Sequence, residues 1–399
     1  MVLGIVNIKI INLINIYKIR LIVIGSGYLI FLIKKKKYLI DTNEKLLIFS
    51  YLFYFGMFLL SFIVHRGNAS ELDNPSRLIL LLPLLLLFYQ YQIRFKVLLY
   101  SIPIGSVIVG LVALYDRFYL NVPRAFSPRI MAIQGGDIAM SLGMFSLVIA
   151  LYFLSKKEYR FTVFCLIATL FGMLGSFLST ARGGWIGSPF IIGFILFTYR
   201  KTLSKRFFII IGSLMIISVV SISLIPKTQV ISRINLAKNE MVAYFEKDRA
   251  NTSLGARFEM WKSAVLMAKE KPILGWGQQG VIEKRKQQAK EKIIHPTVAR
   301  FDHAHNQYLD DLSKRGVLGL LALLGILLMP LWFFIKSSKS HNLEIRSVVI
   351  LGIVHISSVM FYNLSQGFFT HNSGNIFYFF LIIVFYAMIK TLNLKSENN

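Results

Sequence analysis

The chain has 399 residues, of which 55% are hydrophobic, with a mean hydropathy of +0.60 and a formal net charge of +26 at pH 7. Apolar runs fill most of its length, which indicates a polytopic helical membrane protein and excludes a water-soluble globular one. Nucleic acid is not expected as a partner, because most of the charge lies in turns between apolar runs, where it sets topology and contacts anionic lipid.

Hydropathy predicts the membrane spans in chain order. A bilayer core about 30 Å thick needs roughly 20 apolar residues per helix. The first apolar run contains Lys9, Lys18 and Arg20 and lacks a small-residue cleavage site, so no cleavable signal peptide is expected. Twelve spans are predicted, of which the first, second and fourth are short or interrupted: 2–17, 21–33, 46–64, 78–90, 96–115, 137–154, 161–179, 185–199, 207–225, 317–335, 347–364 and 376–390.

Basic residues predict the orientation of these spans. Turns on one side of the predicted bundle, such as 34–37 and 200–206, together with Lys45, Lys390 and Lys395, hold 19 of the 45 Lys and Arg, whereas short loops on the other side hold eight. The positive-inside rule makes the first side cytoplasmic. Both termini are then expected in the cytoplasm, and the long polar segment 226–316 outside.

The expected fold class is an all-α integral membrane protein of about 12 transmembrane helices. Residues 1–225 form a bundle of about nine spans, and residues 226–316 form a large helical outer loop. Residues 317–399 form the last three spans and a cytoplasmic tail. The outer loop has 17 Lys and Arg against 10 Asp and Glu, a surplus that suits an anionic partner outside the membrane.

Arginines on the outer face are candidate anion-binding residues. Arg182 lies in a Ser-Thr-Ala-Arg-Gly-Gly-Trp break between two spans, where an arginine is costly and therefore favours a functional interpretation. Arg257 opens an amphipathic helix, where its charge opposes the helix dipole. Arg77 and Arg129 begin or precede other spans on the same face. The alternative for each arginine is an anchor to lipid headgroups.

The outer loop contains at least one amphipathic helix. Phe258, Trp261 and two later apolar residues recur at helical spacing, Thr252 or Ser253 can cap the start, and Pro272 ends the helix. Its apolar face is expected to rest on the membrane interface or the helix bundle. A charged stretch at 283–292 follows and is expected to form a solvated helix.

His305 is the candidate general base. It is predicted to lie on a helix that leads into the tenth span, at the membrane surface, where an imidazole can accept a proton near neutral pH. His303 and Asn306 are candidate substrate-binding neighbours, and His371 faces outward and can line the same site. A zinc site is not expected, because His303 and His305 do not share a helix face.

The candidate residues together predict a class of reaction. They supply one base, several guanidiniums and an entrance from the membrane. Guanidiniums chelate phosphate oxygens through paired hydrogen bonds, so a lipid-linked diphosphate suits them as a leaving group. The chemistry expected is attack by a sugar hydroxyl on the anomeric carbon of a polyprenyl-diphosphate glycan, with the histidine taking the hydroxyl proton. Neither a metal nor another cofactor is expected.

These residues resemble a known family. His305-Asn306, nine residues, Gly316, two residues and Gly319 resemble the ligase motif of the O-antigen ligase/polymerase superfamily. The similarity covers the whole topology of twelve spans with a large outer loop before the last three. The remaining stretches that resemble the superfamily, namely its buried arginine turn and parts of its outer loop, lie at 179–185, 257–261 and 272–277.

The resemblance implies a metal-independent, inverting glycosyltransferase of the bacterial inner membrane whose active site faces the periplasm. Such an enzyme moves O-antigen or a similar glycan from undecaprenyl diphosphate to the lipid A–core oligosaccharide. It also implies that His305 is the base and that Arg182 and Arg257 bind the diphosphate. Arg77 and Arg129 match the family loosely.

Other functions fit parts of the pattern. A polymerase of the same superfamily uses the same donor but extends another lipid-linked chain, and a protein O-oligosaccharyltransferase uses a Ser or Thr acceptor. A twelve-span transporter is the alternative outside the enzymes. Such transporters typically show two similar halves joined by a central cytoplasmic loop, whereas the long loop here follows the ninth predicted span.

Overall fold

The computed structural model describes residues 40–201, 204–247 and 249–397, and these residues form helices and no strands. The predicted spans 2–17 and 21–33 lie outside the described residues. The helices are α1 (Thr42–Val64), α2 (Asp73–Leu81), α3 (Pro83–Gln90), α4 (Phe95–Leu114), α5 (Ala132–Ser155), α6 (Tyr159–Leu178), α7 (Gly183–Tyr199), α8 (Lys205–Leu224), α9 (Val230–Lys247), α10 (Ser253–Glu270), α11 (Gly277–Lys290), α12 (Gln307–Ser337), α13 (Leu343–Asn363) and α14 (Asn372–Glu397).

The all-α membrane class is confirmed. Eight helical segments of the described chain are long and apolar enough to cross a bilayer, and α7 is a shorter apolar helix. They coincide with the predicted spans between 46 and 199 and with the last three, and α8 lies where the ninth span is predicted. The total of twelve spans and the division at residues 225 and 316 remain predictions.

Helix α5 is the centre of the bundle, packed against α4, α6, α7 and α13. Glycines allow α5 and α6 to touch: a Cβ on Gly172 would lie 2.7 Å from both the Ala139 carbonyl oxygen and the Gly143 Cα. Close backbone approach through small residues is how membrane helices gain packing contacts without a hydrophobic driving force. The bundle is therefore a closely packed support for the loops that connect its helices.

Helices α9, α10 and α11 form an outer layer between the ninth and tenth predicted spans, and α10 packs on both α9 and α12. The predicted cap of α10 is confirmed, because the Thr252 hydroxyl accepts a hydrogen bond from Gly255 N at 3.0 Å. The helix ends at Glu270, just before Pro272, as predicted. Contact with α12 shows that α10 rests on the bundle.

Two of the predictions for the outer loop are wrong. Helix α11 is not uniformly solvated: Arg285 lies fully buried within it, because backbone carbonyls of the following loop accept hydrogen bonds from its guanidinium. His305 is not on a helix either. Asn306 caps α12 by accepting from Leu309 N, and His305 precedes the cap with φ +50°.

A break in α12 joins the outer layer to the last three spans. Gly316 has φ +66° and ψ −162°, and a Cβ there would collide with the Ile273 carbonyl oxygen. Val317 N donates to Pro272 O at 2.7 Å, and Trp276 N donates to Ser313 O at 3.0 Å. Only glycine adopts this backbone without strain while allowing the 272–276 turn to approach so closely.

Candidate active site

An arginine-lined cavity lies where the outer layer meets the end of the bundle. Its volume is about 100 Å³, and α9, α10, the turn between α6 and α7, and the loops before α5 and after α13 all contribute to its wall. Four guanidinium side chains line it: Arg124, Arg182, Arg233 and Arg257. We call these residues the arginine cluster.

Arg182 reaches the cavity because the α6–α7 connection is very tight. Helix α6 ends at Leu178, Thr180 has φ +57°, and α7 begins directly after Arg182. A Cβ on Gly184 would lie 2.9 Å from Asp137 Oδ1, so glycine is needed where α7 starts against α5. Nη1 of Arg182 lies 3.8 Å from Oε2 of Glu240 on α9.

Arg257 lies in the second turn of α10 and lines the same cavity as Arg182. Burial lowers the pKa of the Arg257 guanidinium, as do the charges of Arg182 and Arg124, while Glu240 acts in the opposite direction. Burial and Arg233 likewise lower the pKa of Arg182 and Arg124. The cluster therefore holds like charges close together in a partly desolvated place, which is an arrangement suited to an anion.

Arg124 and Arg233 were missed as site residues by the sequence analysis. Nε of Arg124 donates to Ser179 O at 3.0 Å, which fixes it against the Arg182 turn. Arg233 lies on α9 and donates to Gln229 Oε1 at 3.3 Å. One signal was present in the sequence: Arg233 and Glu240 are seven residues apart, so they share a face of α9.

His305 lies in the loop that follows α11, close to the arginine cluster. Burial lowers the pKa of its imidazole to about 3, and the charges of His303 and Arg257 act in the same direction. The ring of Phe301 packs against it, with centroids 5.9 Å apart. The side chain is therefore neutral at pH 7 and has a lone pair available to accept a proton.

The loop of His305 is held by side chains from three helices. Buried Arg285 of α11 donates to Phe301 O at 2.6 Å and to His303 O at 3.3 Å. Nε1 of Trp261 on α10 donates to Ala304 O at 3.0 Å, and Ala304 N donates to Asp310 Oδ1 of α12 at 3.0 Å. None of these supporting roles is predicted by the sequence, since each depends on a contact between separate segments.

Helix α10 also links the histidine loop to the arginine cluster. Arg257 and Trp261 are four residues apart and so lie on one face of the helix, the first at the cavity and the second bound to Ala304. Asn306 makes a second link, because its Nδ2 donates to Leu364 O, beside the cavity-lining Ser365. The candidate base and the candidate anion site thus adjoin each other.

The other predicted residues occupy different places. His303 Nδ1 lies 2.6 Å from Asp302 Oδ1. Burial lowers the pKa of His371, and nearby His303 acts in the same direction. Arg77 donates to Asn74 Oδ1 at 2.6 Å, and Arg129 pairs with Asp116 at 2.6 Å. Neither of these two arginines lines the cavity, and their role in substrate binding remains a prediction.

Comparison with known proteins bears on the family of the chain. The family model described as O-antigen ligase matches residues 167–324, a stretch that includes Arg182, Arg257 and His305. A Haemophilus influenzae protein described as "Uncharacterized protein" is 46% identical over 365 residues, which is 92% of this chain and 91% of that protein. The chain belongs to the O-antigen ligase/polymerase superfamily, whose members carry out glycan transfer.

Proposed function

We propose that the protein is an O-antigen ligase, which transfers a glycan from undecaprenyl diphosphate to the lipid A–core oligosaccharide at the periplasmic face of the inner membrane. The observation that carries the proposal is the cavity in which the arginine cluster adjoins a neutral, half-buried histidine. A transporter needs no general base, whereas a hydroxyl nucleophile and an anionic leaving group need both features.

The arginine cluster supports binding of the diphosphate. Arg182 and Arg257 approach from the bundle and from the outer layer, so an anion between them is contacted from both sides. Their charges repel each other, and the negative charge on the diphosphate grows as its bond to the sugar breaks. The cluster therefore stabilises the transition state more than the ground state. Because the guanidiniums supply this positive charge, the proposed reaction uses no metal ion.

His305 supports activation of the acceptor. A neutral imidazole can take the proton of a sugar hydroxyl while that hydroxyl attacks the anomeric carbon from the face opposite the diphosphate. One displacement of this kind inverts the configuration at the anomeric carbon. The contacts of Arg285, Trp261 and Asp310 hold the histidine loop in place before substrate arrives, which reduces the entropy cost of reaching the transition state.

A complementation experiment tests the proposal. Plasmids encoding wild type, His305→Ala, Arg182→Lys or Arg257→Lys are placed in a strain that lacks the native gene, and lipopolysaccharide and lipid-linked glycan are both analysed. We expect each variant to lose most glycan-capped lipopolysaccharide, while lipid-linked glycan accumulates with unchanged chain lengths. The lysine variants keep the charge but lose the paired hydrogen bonds of arginine. The control is Lys262→Ala, which removes an exposed cation from the same helix as Arg257.

Two outcomes would contradict the ligase. Shortened lipid-linked chains would identify a polymerase of the same superfamily, since that enzyme builds the chain before transfer. Glycan-capped lipopolysaccharide at the wild-type level in His305→Ala would remove the proposed base. Immunoblots of the membrane fraction establish that each variant is present.

A further inference from the structure

A carboxylate and two imidazoles lie in a row beside the arginine cluster. Nδ1 of His303 is 2.6 Å from Oδ1 of Asp302, and the ring centroids of His303 and His305 are 4.1 Å apart. The proposed glycan transfer uses His305 and assigns no role to the Asp302–His303 pair.

The hydrogen bond to Asp302 determines which nitrogen of His303 can accept a proton. The bond to His303 holds the pKa of Asp302 well below its usual range, so this carboxylate is ionised and can only accept. Nδ1 of neutral His303 must then carry the hydrogen, which leaves the lone pair on Nε2. A second proton on Nε2 creates an imidazolium that the Asp302 charge stabilises.

His305 is a poor place for a proton to remain. It is partly desolvated, and the charge of Arg257 acts against an imidazolium there. The His303 side chain is 30% exposed and has a carboxylate beside it. His303 therefore has both a carboxylate partner and contact with water, through which a proton can leave.

The positions of both imidazoles are built into the fold. Arg285, with no exposed surface, binds the carbonyl of His303, and the backbone of Ala304 between the two histidines is fixed on both its NH and its CO. Burying a guanidinium carries a large desolvation penalty, so packing alone does not explain why it is bound to carbonyls here. Its effect here is to hold the two rings in contact.

We propose that His303 is the final acceptor of the proton that leaves the acceptor hydroxyl, that His305 passes this proton on, and that Asp302 is the positioning residue behind His303. The inference rests on the proposed glycan transfer and adds a second proton acceptor to it.

The hydroxyl oxygen of the acceptor bonds to the anomeric carbon, and the bond from that carbon to the diphosphate oxygen breaks, with its electron pair leaving on the diphosphate. The hydroxyl proton moves to His305 and then to Nε2 of His303. Water removes it from His303 before the next turnover, so both imidazoles are neutral again.

The pH dependence of this step involves charges from every element around the pair. Because the proposed relay ends on a neutral imidazole, we expect the rate of transfer to fall in acid. Removing the Asp302 charge disfavours the imidazolium. In Asp302→Asn the loss of transfer rate in acid should therefore move to lower pH, and the maximal rate should fall. The charged and titratable groups near the two histidines are Arg257 of α10, Arg285 of α11, Asp310 and Lys314 of α12, His371, and Asp302 itself.

The test measures transfer by the purified full-length protein in liposomes, with lipid-linked glycan as donor and lipid A–core as acceptor. Wild type, Asp302→Asn, His303→Gln and His303→Ala are compared across pH 5 to 9. We expect kcat to fall by roughly tenfold to a hundredfold in both His303 variants with little change in either KM, and the pH profile of Asp302→Asn to move to lower pH. Added imidazole should restore part of the activity of His303→Ala.

The controls separate this inference from the proposed function. His295→Ala removes an imidazole of the same outer layer that is paired with Thr297, and it should behave as wild type. His303→Gln with wild-type kcat and pH profile would overturn the inference and leave the ligase intact. A raised KM without a change in the pH profile would assign His303 to acceptor binding instead. No transfer by wild type would overturn both.

Discussion

His305 is kept neutral by its surroundings, and this has a consequence for stability. In the unfolded chain its imidazole has an ordinary pKa near 6.5, whereas in the folded protein burial lowers the pKa to about 3. Between these two values the unfolded state binds a proton that the folded state does not. The contribution of this residue to stability is therefore complete above about pH 6.5 and is lost as the pH falls toward 3.

We expect His305→Gln to make the protein less sensitive to mild acid. Between pH 7 and pH 4.5 the melting temperature of wild type in detergent should fall more than that of the variant, because glutamine does not titrate. Carboxylates that protonate in this range affect both proteins equally. Parallel curves for the two proteins would show that the imidazole is not desolvated in the folded state.

Single residues differ in how well their roles could be predicted. Arg182 and Arg257 stand out in the sequence because each is costly in its local setting, a span break in one case and a helix start in the other. Arg124 and Arg285 carry no such local cost. In the sequence Arg124 is one of eight basic residues in the short loops opposite the cytoplasmic side, and Arg285 lies in a stretch predicted to be solvated. Only their contacts with Ser179, Phe301 and His303 show what they do.

Among the elements, α9 has two faces of opposite character. Arg233 and Glu240 point toward the cavity side, while an apolar stripe formed by Ile231, Ile234, Met241 and Phe245 is exposed. The stripe repeats at intervals of three, seven and four residues, which is one face of a helix. Because α9 follows the apolar helix α8 after a short turn, we expect this stripe to lie in the outer boundary of the bilayer.

Cysteine labelling measures where α9 lies. In a background in which the buried Cys165 is replaced by alanine, Ile234→Cys and Phe245→Cys in intact proteoliposomes should react slowly with a membrane-impermeant maleimide. Asn239→Cys, an exposed position between the ends of the stripe, should react quickly. Equal rates at all three positions would place the stripe in water. Detergent solubilisation checks that every cysteine is reactive once lipid is removed.

The break in α12 makes a second prediction for a single element. Gly316→Ala forces a left-handed backbone on alanine and places a methyl group against Ile273, so we expect a loss of about 1–3 kcal/mol of stability and a lower melting temperature. Gly325→Ala is the matched control on the same helix, since nothing lies within 4 Å of its new methyl group. A melting temperature unchanged by Gly316→Ala would show that α12 runs straight through this position.

Local sequence patterns are enough to predict some helix ends but not others. The cap and end of α10 follow from Thr252 and Pro272, which act within their own turns, and both were predicted correctly. The start of α12 was placed too early because His305, Tyr308 and Leu309 fit a helical face. The asparagine between them caps the helix instead and bonds the distant Leu364, which a periodicity argument does not detect.

For the whole molecule, composition predicts the fold class, whereas it does not predict the role of any single residue. Long apolar runs determine a helical membrane bundle almost independently of the details of packing, since every backbone polar group in a bilayer must be satisfied within its own helix. The assembly of the site could not be predicted from composition. It joins segments as far apart as Arg124, Arg257 and Ser365, and no pattern within one segment encodes that meeting.

Because the arginine cluster holds like charges close together, a small anion that binds there should stabilise the folded protein. A ligand that binds only the folded state raises its stability in proportion to the logarithm of its concentration above Kd, whatever reaction the site performs. We expect millimolar pyrophosphate to raise the melting temperature of wild type, and to leave Arg182→Ala/Arg257→Ala unchanged at matched ionic strength. An equal shift in both proteins would locate the anion elsewhere. Thermal melting thus reports occupancy of the cavity without any glycan, which opens the site to screening by compounds that mimic a diphosphate.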